Sequence, residues 1–291
     1  MIIDGETKVV GVIGDPISHS FSPIINNAAF QHLGLNYKYF AFKVSPEHLA
    51  GAIGGANKLG IKGLNVTIPH KEQVLVTLDQ ISEIAKNIGA VNVINFHDNE
   101  AHGYNTDGIG CIKALEEKTR IYNKKITILG AGGASRAICN QLIASNIESL
   151  EIINRNLNKA ETLKENILEN YSNANVTIKP IEELTNQIQE TDIFINTTPI
   201  GMKGYEEQKP ILEAKNIPEN LIVNDIVYNP IETPLLKEAK TAEATTINGI
   251  KMLIYQAAEG IEIWTGKKAP TEIMEEKLKE ILKWKKKHLN S

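Results

Sequence analysis

The chain lacks the marks of several large protein classes. Its two cysteines, Cys111 and Cys139, stand far apart in the 291 residues. Each lies inside a helix-like pattern, which predicts two buried small apolar residues in a reducing compartment. No segment approaches the roughly 18 uninterrupted apolar residues of a membrane span. The opening Met-Ile-Ile-Asp-Gly-Glu carries neither the basic region nor the apolar run of a signal peptide. A net charge of -4 offers no basic surface for nucleic acid. The seven histidines and two cysteines show no ligand spacing, so no metal site is expected. There is no G-x-S-x-G nucleophile elbow, no internal repeat and no low-complexity stretch. These absences predict a soluble, cytoplasmic protein with no membrane or nucleic-acid partner.

What is present is an ordinary globular composition, 42% apolar and 23% charged, able to bury real cores. At about 150 residues per domain, the length predicts two domains. The most telling stretch is Ile126-Thr127-Ile128-Leu129-Gly130-Ala131-Gly132-Gly133-Ala134-Ser135-Arg136. A β-branched apolar run breaks into glycines and then into a helix-like pattern, the strand–turn–helix entry of a dinucleotide-binding unit. Gly130 would permit the turn, and Gly132 would let backbone approach a pyrophosphate. Small Ser135 would allow the helix to pack on the strand, with free N–H groups at the helix start facing the phosphates.

The strand that follows, Leu150–Ile153, ends in Asn154-Arg155-Asn156. An acid at this place accepts hydrogen bonds from the adenosine ribose 2′-hydroxyl of NAD. Here an arginine stands there instead, suited to a 2′-phosphate of roughly -1.5 to -2 charges. NADP is therefore favoured over NAD, although Arg155 alone would also pass as a solvated loop cation.

Strand-like and helix-like patterns alternate along the chain. Strands are expected at 8–14, 37–44, 63–68, 91–96 and 101–104. Helices are expected from Ser22-Pro23 to Gly34, over 46–59 and over most of 72–88. Asp98-Asn99 reads as a hairpin turn, and Asp107-Gly108 opens a further helix. Beyond a polar connector at 118–125, strands are expected at 126–129, 150–153, 176–180, 193–196 and 221–226. The pattern changes around 245–249, and helices follow over 252–264 and 272–289. The basic run Lys285–His288 reads as a solvated helix end. Alternation of this kind implies an α/β fold with parallel sheets.

Three polar clusters follow expected strands, at the ends where open α/β sheets bind ligands. In Ser18-His19-Ser20-Phe21-Ser22-Pro23, two hydroxyls beside a helix start suit a carboxylate; equally, Ser22 could only cap the helix and Ser20 only turn the chain. Asn65-Val66-Thr67-Ile68-Pro69-His70-Lys71 offers an amide, a hydroxyl and an ammonium. A lysine so placed can serve as a general acid/base, although most lysines lie simply at the surface. In Gly103-Tyr104-Asn105-Thr106-Asp107-Gly108, Asp107 would either cap the next helix or orient Lys71. Asn92 adds an amide, and Gln256 would by itself read as a surface residue.

These clusters, in this order, resemble the shikimate dehydrogenase family. The matching segments are GDPISHSFSP (14–23), GLNVTIPHK (63–71), GAVN (89–92), GYNTDG (103–108), GAGGASR (130–136), NRN (154–156), NTTPIGM (196–202), DIVYNP (225–230) and NGIKMLIYQAA (248–258). The resemblance implies reversible NADP-linked reduction of 3-dehydroshikimate to shikimate. Ser20 and Ser22 would bind the substrate carboxylate with Tyr228 nearby, while Thr67, Asn92, Asp107 and Gln256 would hold the ring hydroxyls. Lys71 and Asp107 would form the catalytic pair. Gly130, Ala131, Gly132, Gly133, Ala134 and Ser135 would hold the pyrophosphate, and Asn154, Arg155 and Lys159 the 2′-phosphate, with Asn156 also among the cofactor-binding residues. Thr197, Ile226 and Gly249 would line the nicotinamide pocket. One departure is Asn156, where the family usually has threonine.

The implied architecture is a substrate domain of residues 1–106 plus 248–291, interrupted by a Rossmann-type, doubly wound NADP domain of residues 107–247. Two alternatives stay open. One is a quinate/shikimate dehydrogenase of relaxed cofactor use, and the other a non-catalytic module that senses the metabolite. A homodimer also stays open.

Overall fold

The computed structural model describes residues 3–202 and 210–288, with backbone alone for 284–288. The side chains of the basic run Lys285–His288 thus lie outside the described residues. The chain divides into two compact units, Met1–Thr106 with Ile254–Ser291, and Asp107–Leu253.

The first unit opens with β1 (Lys8–Gly14), whose Val10, Val12 and Ile13 are buried. Then follow α1 (Ser22–His32), β2 (Tyr37–Lys43), α2 (Leu49–Lys58) and β3 (Gly63–Val66). Next come β4 (Gln80–Ile81), α3 (Glu83–Ile88), β5 (Val93–His97) and β6 (Glu100–Tyr104). The six strands form one sheet in the order β2-β1-β3-β5-β6-β4. β1 runs parallel to β2 and β3, whereas β5 is antiparallel to both β3 and β6. The sheet is therefore mixed, and the expected hairpin is part of the reason: Asp98 and Asn99 take φ of 51° and 64°, closing a two-residue turn that makes β5 and β6 antiparallel.

The expected helix over 72–88 is a correction. It resolves into a 3₁₀ turn at Gln73–Thr77, the short β4, and α3. The Asp79 carboxylate accepts the Ala101 N–H at 2.8 Å, drawing this segment against β6. Ser82 then caps α3 by accepting the Ala85 N–H at 3.3 Å. Val74 and Ala85 still reach the core, with Leu75, Leu78 and Ile81 packed against it. The apolar spacing is satisfied by a different backbone.

The second unit contains α4 (Asp107–Glu116), β7 (Lys125–Leu129), α5 (Gly133–Ala144), β8 (Ser149–Ile153), α6 (Leu157–Asn170) and β9 (Val176–Lys179). It continues with α7 (Leu184–Gln187), β10 (Ile193–Asn196), β11 (Ile222–Asp225), α8 (Pro234–Thr241) and β12 (Thr245–Asn248). The sheet order is β12-β11-β10-β7-β8-β9, with every pairing parallel. That is a doubly wound sheet whose strand order reverses between β7 and β10, the switch point where such sheets bind ligands. The edge strand β12 escaped the sequence reading because Thr-Thr-Ile-Asn carries no apolar run. Cys111 on α4 and Cys139 on α5 are free and buried. Burial pushes both thiols up, Cys139 to about 12, so both serve as small apolar residues.

α9 (Gly249–Thr265) begins in the second unit and ends in the first. α10 (Thr271–His288) packs on α1. Trp264 of α9 donates its indole N–H to the Ile94 carbonyl at 2.9 Å. A Cβ at Gly63 would stand 2.0 Å from that indole nitrogen, so only glycine fits beneath it. Among the described residues, no helix is long and apolar enough to cross a membrane.

Candidate active site

In the first unit, Ser20 and Ser22 follow β1, Thr67 and Lys71 follow β3, Asn92 precedes β5 and Gln256 lies on α9. Helix α1 begins at Ser22 itself, with Phe21 in the capping position and no side-chain cap. The Ser22 hydroxyl therefore does not cap α1. Ser20 shapes the turn instead: its N–H donates to the Ile17 carbonyl at 3.0 Å, and its hydroxyl accepts the Ser22 N–H at 3.2 Å.

The loop carrying Lys71 is held at several points. The Thr67 N–H donates to the Ile13 carbonyl at 3.0 Å, and its own carbonyl accepts the His70 N–H at 2.9 Å. Buried His70 donates Nε2–H to the Val44 carbonyl at 2.7 Å, and the Lys71 carbonyl accepts the Val91 N–H at 2.8 Å. Lys71 itself is half-buried. A long flexible side chain thus hangs from a backbone with little freedom, which suits an acid/base that must arrive at a defined point.

Asn92, Thr106 and Gln256 meet although the last is 164 residues from the first. Asn92 Nδ2 donates to Thr106 Oγ1 at 3.0 Å and to Gln256 Oε1 at 3.3 Å, while Asn92 Oδ1 accepts the Thr106 N–H at 2.8 Å. The Thr106 hydroxyl donates to the Gln256 carbonyl at 3.0 Å. Gln256 is accordingly half-buried in a polar network and not at the surface. Asn65, buried beside them, accepts the Tyr39 hydroxyl at 2.6 Å and donates to the Asn92 carbonyl at 3.1 Å.

In the second unit, β7 is followed by Gly130, whose φ of +115° only glycine adopts readily. Its N–H donates to the Ile153 carbonyl at 2.9 Å. The Ser135 hydroxyl, fully buried, donates back to the Gly130 carbonyl at 2.7 Å, clasping turn to helix. Gly132 is exposed, and a Cβ there would meet nothing within 4 Å. Open space beside exposed backbone at the start of α5 fits a pyrophosphate.

Past β8, the Asn154 amide donates to the Asn156 carbonyl at 2.8 Å, and Asn156 caps α6 by accepting the Lys159 N–H at 3.2 Å. Asn154, one of the three residues expected at the 2′-phosphate, and its neighbour Asn156 thus shape the turn with their side chains. Arg155 and Lys159, the other two, are exposed cations.

Across the switch point, the Thr197 hydroxyl donates to the Leu129 carbonyl at 2.7 Å. The Ile226 N–H donates to the Asn196 carbonyl at 3.1 Å. A Cβ at Gly249 would fall 2.1 Å from the Ile226 carbonyl oxygen, so the start of α9 and this strand end approach as only glycine permits. Burial raises the Tyr228 phenol above its ordinary pKa. Asp107 is buried as the first residue of α4, where a carboxylate suits the helix dipole. Among the described residues, no cluster of histidine, cysteine or acidic groups could hold a metal ion.

A shikimate dehydrogenase (NADP(+)) of Methanobrevibacter smithii is 52% identical over 281 residues, spanning 97% of this chain and 99% of its own. This chain belongs to the shikimate dehydrogenase family. Three family models match it: the shikimate dehydrogenase substrate binding domain at residues 12–94, shikimate / quinate 5-dehydrogenase at 113–252, and the shikimate 5′-dehydrogenase C-terminal domain at 249–279. The crystal structure of a shikimate dehydrogenase in complex with NADP+ superposes with a TM-score of 0.90 at 46% identity, covering 96% of this chain and 97% of that one. A shikimate 5-dehydrogenase of Listeria monocytogenes, in complex with shikimate and NAD, gives 0.86 at 37%, covering 95% and 98%.

One buried group was not among the expected site residues. Asn196, Asp225 and Thr233 are buried together; Asn196 and Asp225 open the segments NTTPIGM and DIVYNP, of which only Thr197, Ile226 and Tyr228 had been given roles. Asp225 Oδ1 accepts from Asn196 Nδ2 and from the Val227 N–H, each at 3.0 Å, and Oδ2 accepts the Thr233 hydroxyl at 2.6 Å. Burial nevertheless pushes the carboxyl up to about 6. An acid ending an otherwise buried strand was the available signal.

Proposed function

We propose that this chain catalyses the reversible NADPH-linked reduction of 3-dehydroshikimate to shikimate, in the cytoplasm, on the route to chorismate and the aromatic amino acids. The observation that carries this reading is the 52% identity to a shikimate dehydrogenase (NADP(+)) across 97% of the chain. Lys71 and Asp107, standing in the motifs GLNVTIPHK and GYNTDG, support it.

Residues 1–106 with 248–291 form the substrate-binding and catalytic domain, and residues 107–247 the NADP-binding domain. Bound NADPH supplies a hydride from its nicotinamide. The chain's residues must orient the ring and move one proton at the oxygen of the reacting carbon. Lys71 gives that proton during reduction and takes it back during oxidation, which requires its Nζ within about 3 Å of the oxygen. Asp107 orients the ammonium and holds a ring hydroxyl. Ser20 and Ser22 receive the carboxylate with Tyr228, while Thr67, Asn92 and Gln256 hold the remaining hydroxyls. A ring held by fixed amides and hydroxyls can lower the barrier by several kcal/mol through positioning.

The preference for NADP rests on Arg155 and Lys159, since no acid follows β8. The small-molecule substrate and cofactor are the only partners proposed; the oligomer, monomer or homodimer, is left to a sizing measurement.

Steady-state absorbance at the nicotinamide band tests the assignment, with shikimate and quinate each offered NADP+ or NAD+. Turnover with shikimate and NADP+ well above the other three pairs is expected. Comparable rates with quinate or NAD+ would make this a quinate/shikimate dehydrogenase of broad cofactor use. Ligand binding without any turnover would indicate a sensor.

A further inference from the structure

We propose that Asp225 is a positioning residue for the nicotinamide half of the cofactor, its carboxylate setting the spacing of the segments that follow β10 and β11. The inference rests on the NADP reading above and deepens it.

Asp225 and Asn196 are both 0% exposed, at neighbouring strand ends paired in register. A carboxylate buried between strands is costly, and an apolar residue of similar size would hold two strands together as well. What an apolar residue would not do is gather donors from three separate segments. Asp225 takes Asn196 Nδ2 from the end of β10, the Val227 N–H from its own loop, and the Thr233 hydroxyl from the cap of α8.

The network continues outward. Asn196 Oδ1 accepts the Thr198 N–H at 3.0 Å and its hydroxyl at 2.7 Å, so Asn196 folds back the very turn that carries Thr197. The Thr197 N–H and hydroxyl donate to the Leu129 carbonyl at 2.9 and 2.7 Å. Ile226 hangs from the Asn196 carbonyl, and Gly249 lies hard against Ile226. Thr197, Ile226 and Gly249 are the residues assigned to the nicotinamide, and all three take their positions from strand ends that Asp225 ties together. The hydrogen bonds of Asp225 reach neither the glycine turn nor the Asn154-Arg155 turn. Its loss should therefore affect one half of the dinucleotide and spare the other.

Isothermal titration with NADP+ and with its fragment 2′,5′-ADP reads the two halves separately. Asp225→Ala is expected to weaken NADP+ by about tenfold or more, the scale of a lost charge-assisted hydrogen bond. Binding of 2′,5′-ADP should stay within about twofold, since its contacts lie elsewhere. Asp225→Asn keeps an acceptor for Asn196 and Val227 and a donor for the Thr233 hydroxyl, and should restore NADP+ binding to within about threefold. If Asp225→Ala fails to fold, Thr233→Val carries the same comparison, because it removes one anchor of the carboxylate. Equal weakening of both ligands, or of neither, would overturn the inference alone. Failure of the native protein to bind either ligand would overturn the NADP reading and this inference with it.

Discussion

Lys71 shows what one side chain can be asked to do when its backbone has no slack. Thr67, His70 and Lys71 each spend main-chain groups or a ring nitrogen on neighbouring strands and loops, so the backbone fixes where the Lys71 side chain begins. Lys71→Ala is expected to lower kcat by about 10²- to 10⁴-fold, the range for a lost general acid/base. Shikimate affinity by equilibrium titration should change far less; near-normal turnover would show the proton role to be misassigned. Asp225 makes a different statement about a single group. Its folded pKa of about 6 lies above the ordinary 3.8, so between these values the folded state holds the proton more tightly than the unfolded chain. Stability from this group is full below about pH 4 and is lost as pH rises through about 6, by at most about 3 kcal/mol. Urea unfolding of native protein and Asp225→Asn across that window should show the native curve falling relative to the variant. A native curve rising relative to the variant would contradict the burial argument. Glu151, raised for the same reason, is common to both proteins and cancels.

At the scale of elements, the departures of sequence from expectation fall where a short segment is captured by a distant one. The run 72–88 has helical spacing throughout, yet Asp79 binds the Ala101 backbone and the chain becomes strand there. No local propensity within 72–88 carries that information, because Ala101 is on another strand. The turn after β8 is the opposite case. Asn156 stands where the resemblance led to an expectation of threonine, and both residue types cap helices; here Asn156 caps α6 through the Lys159 N–H. Asn156→Ala should cost about 1 kcal/mol of stability by chemical denaturation, while Asn156→Thr should cost only a few tenths, about 0.3 kcal/mol. If alanine is as stable as asparagine, the cap is not what Asn156 supplies.

For the whole molecule, cofactor binding stabilises the folded state by mass action. A ligand that binds only the folded state at 100 times its Kd adds about 2.7 kcal/mol. NADP+ should raise the unfolding temperature in differential scanning fluorimetry well above the shift from NAD+ at equal concentration, and Arg155→Ala should bring the two shifts together. Equal shifts for the native protein would remove Arg155 and Lys159 from cofactor discrimination.

The parts legible in the sequence are those whose physics is local. Strand, glycine turn and helix at 126–144 follow from neighbouring residues, since Gly130 needs its φ of +115° and Ser135 reaches back only five residues to close the turn. The missing acid after β8 is equally local, and it already points to NADP. Even the motifs that name the family are short runs. What only the tertiary structure decided are contacts that depend on how strands pair. The strand register sets Asn196 beside Asp225, 29 residues apart. The return of α9 brings Gln256 to Asn92 and Thr106, and the capture of Asp79 ends a helix that spacing alone would have continued. Side chains distant in sequence meet only once the sheets have chosen their partners, and the polar networks of this protein are built from such meetings.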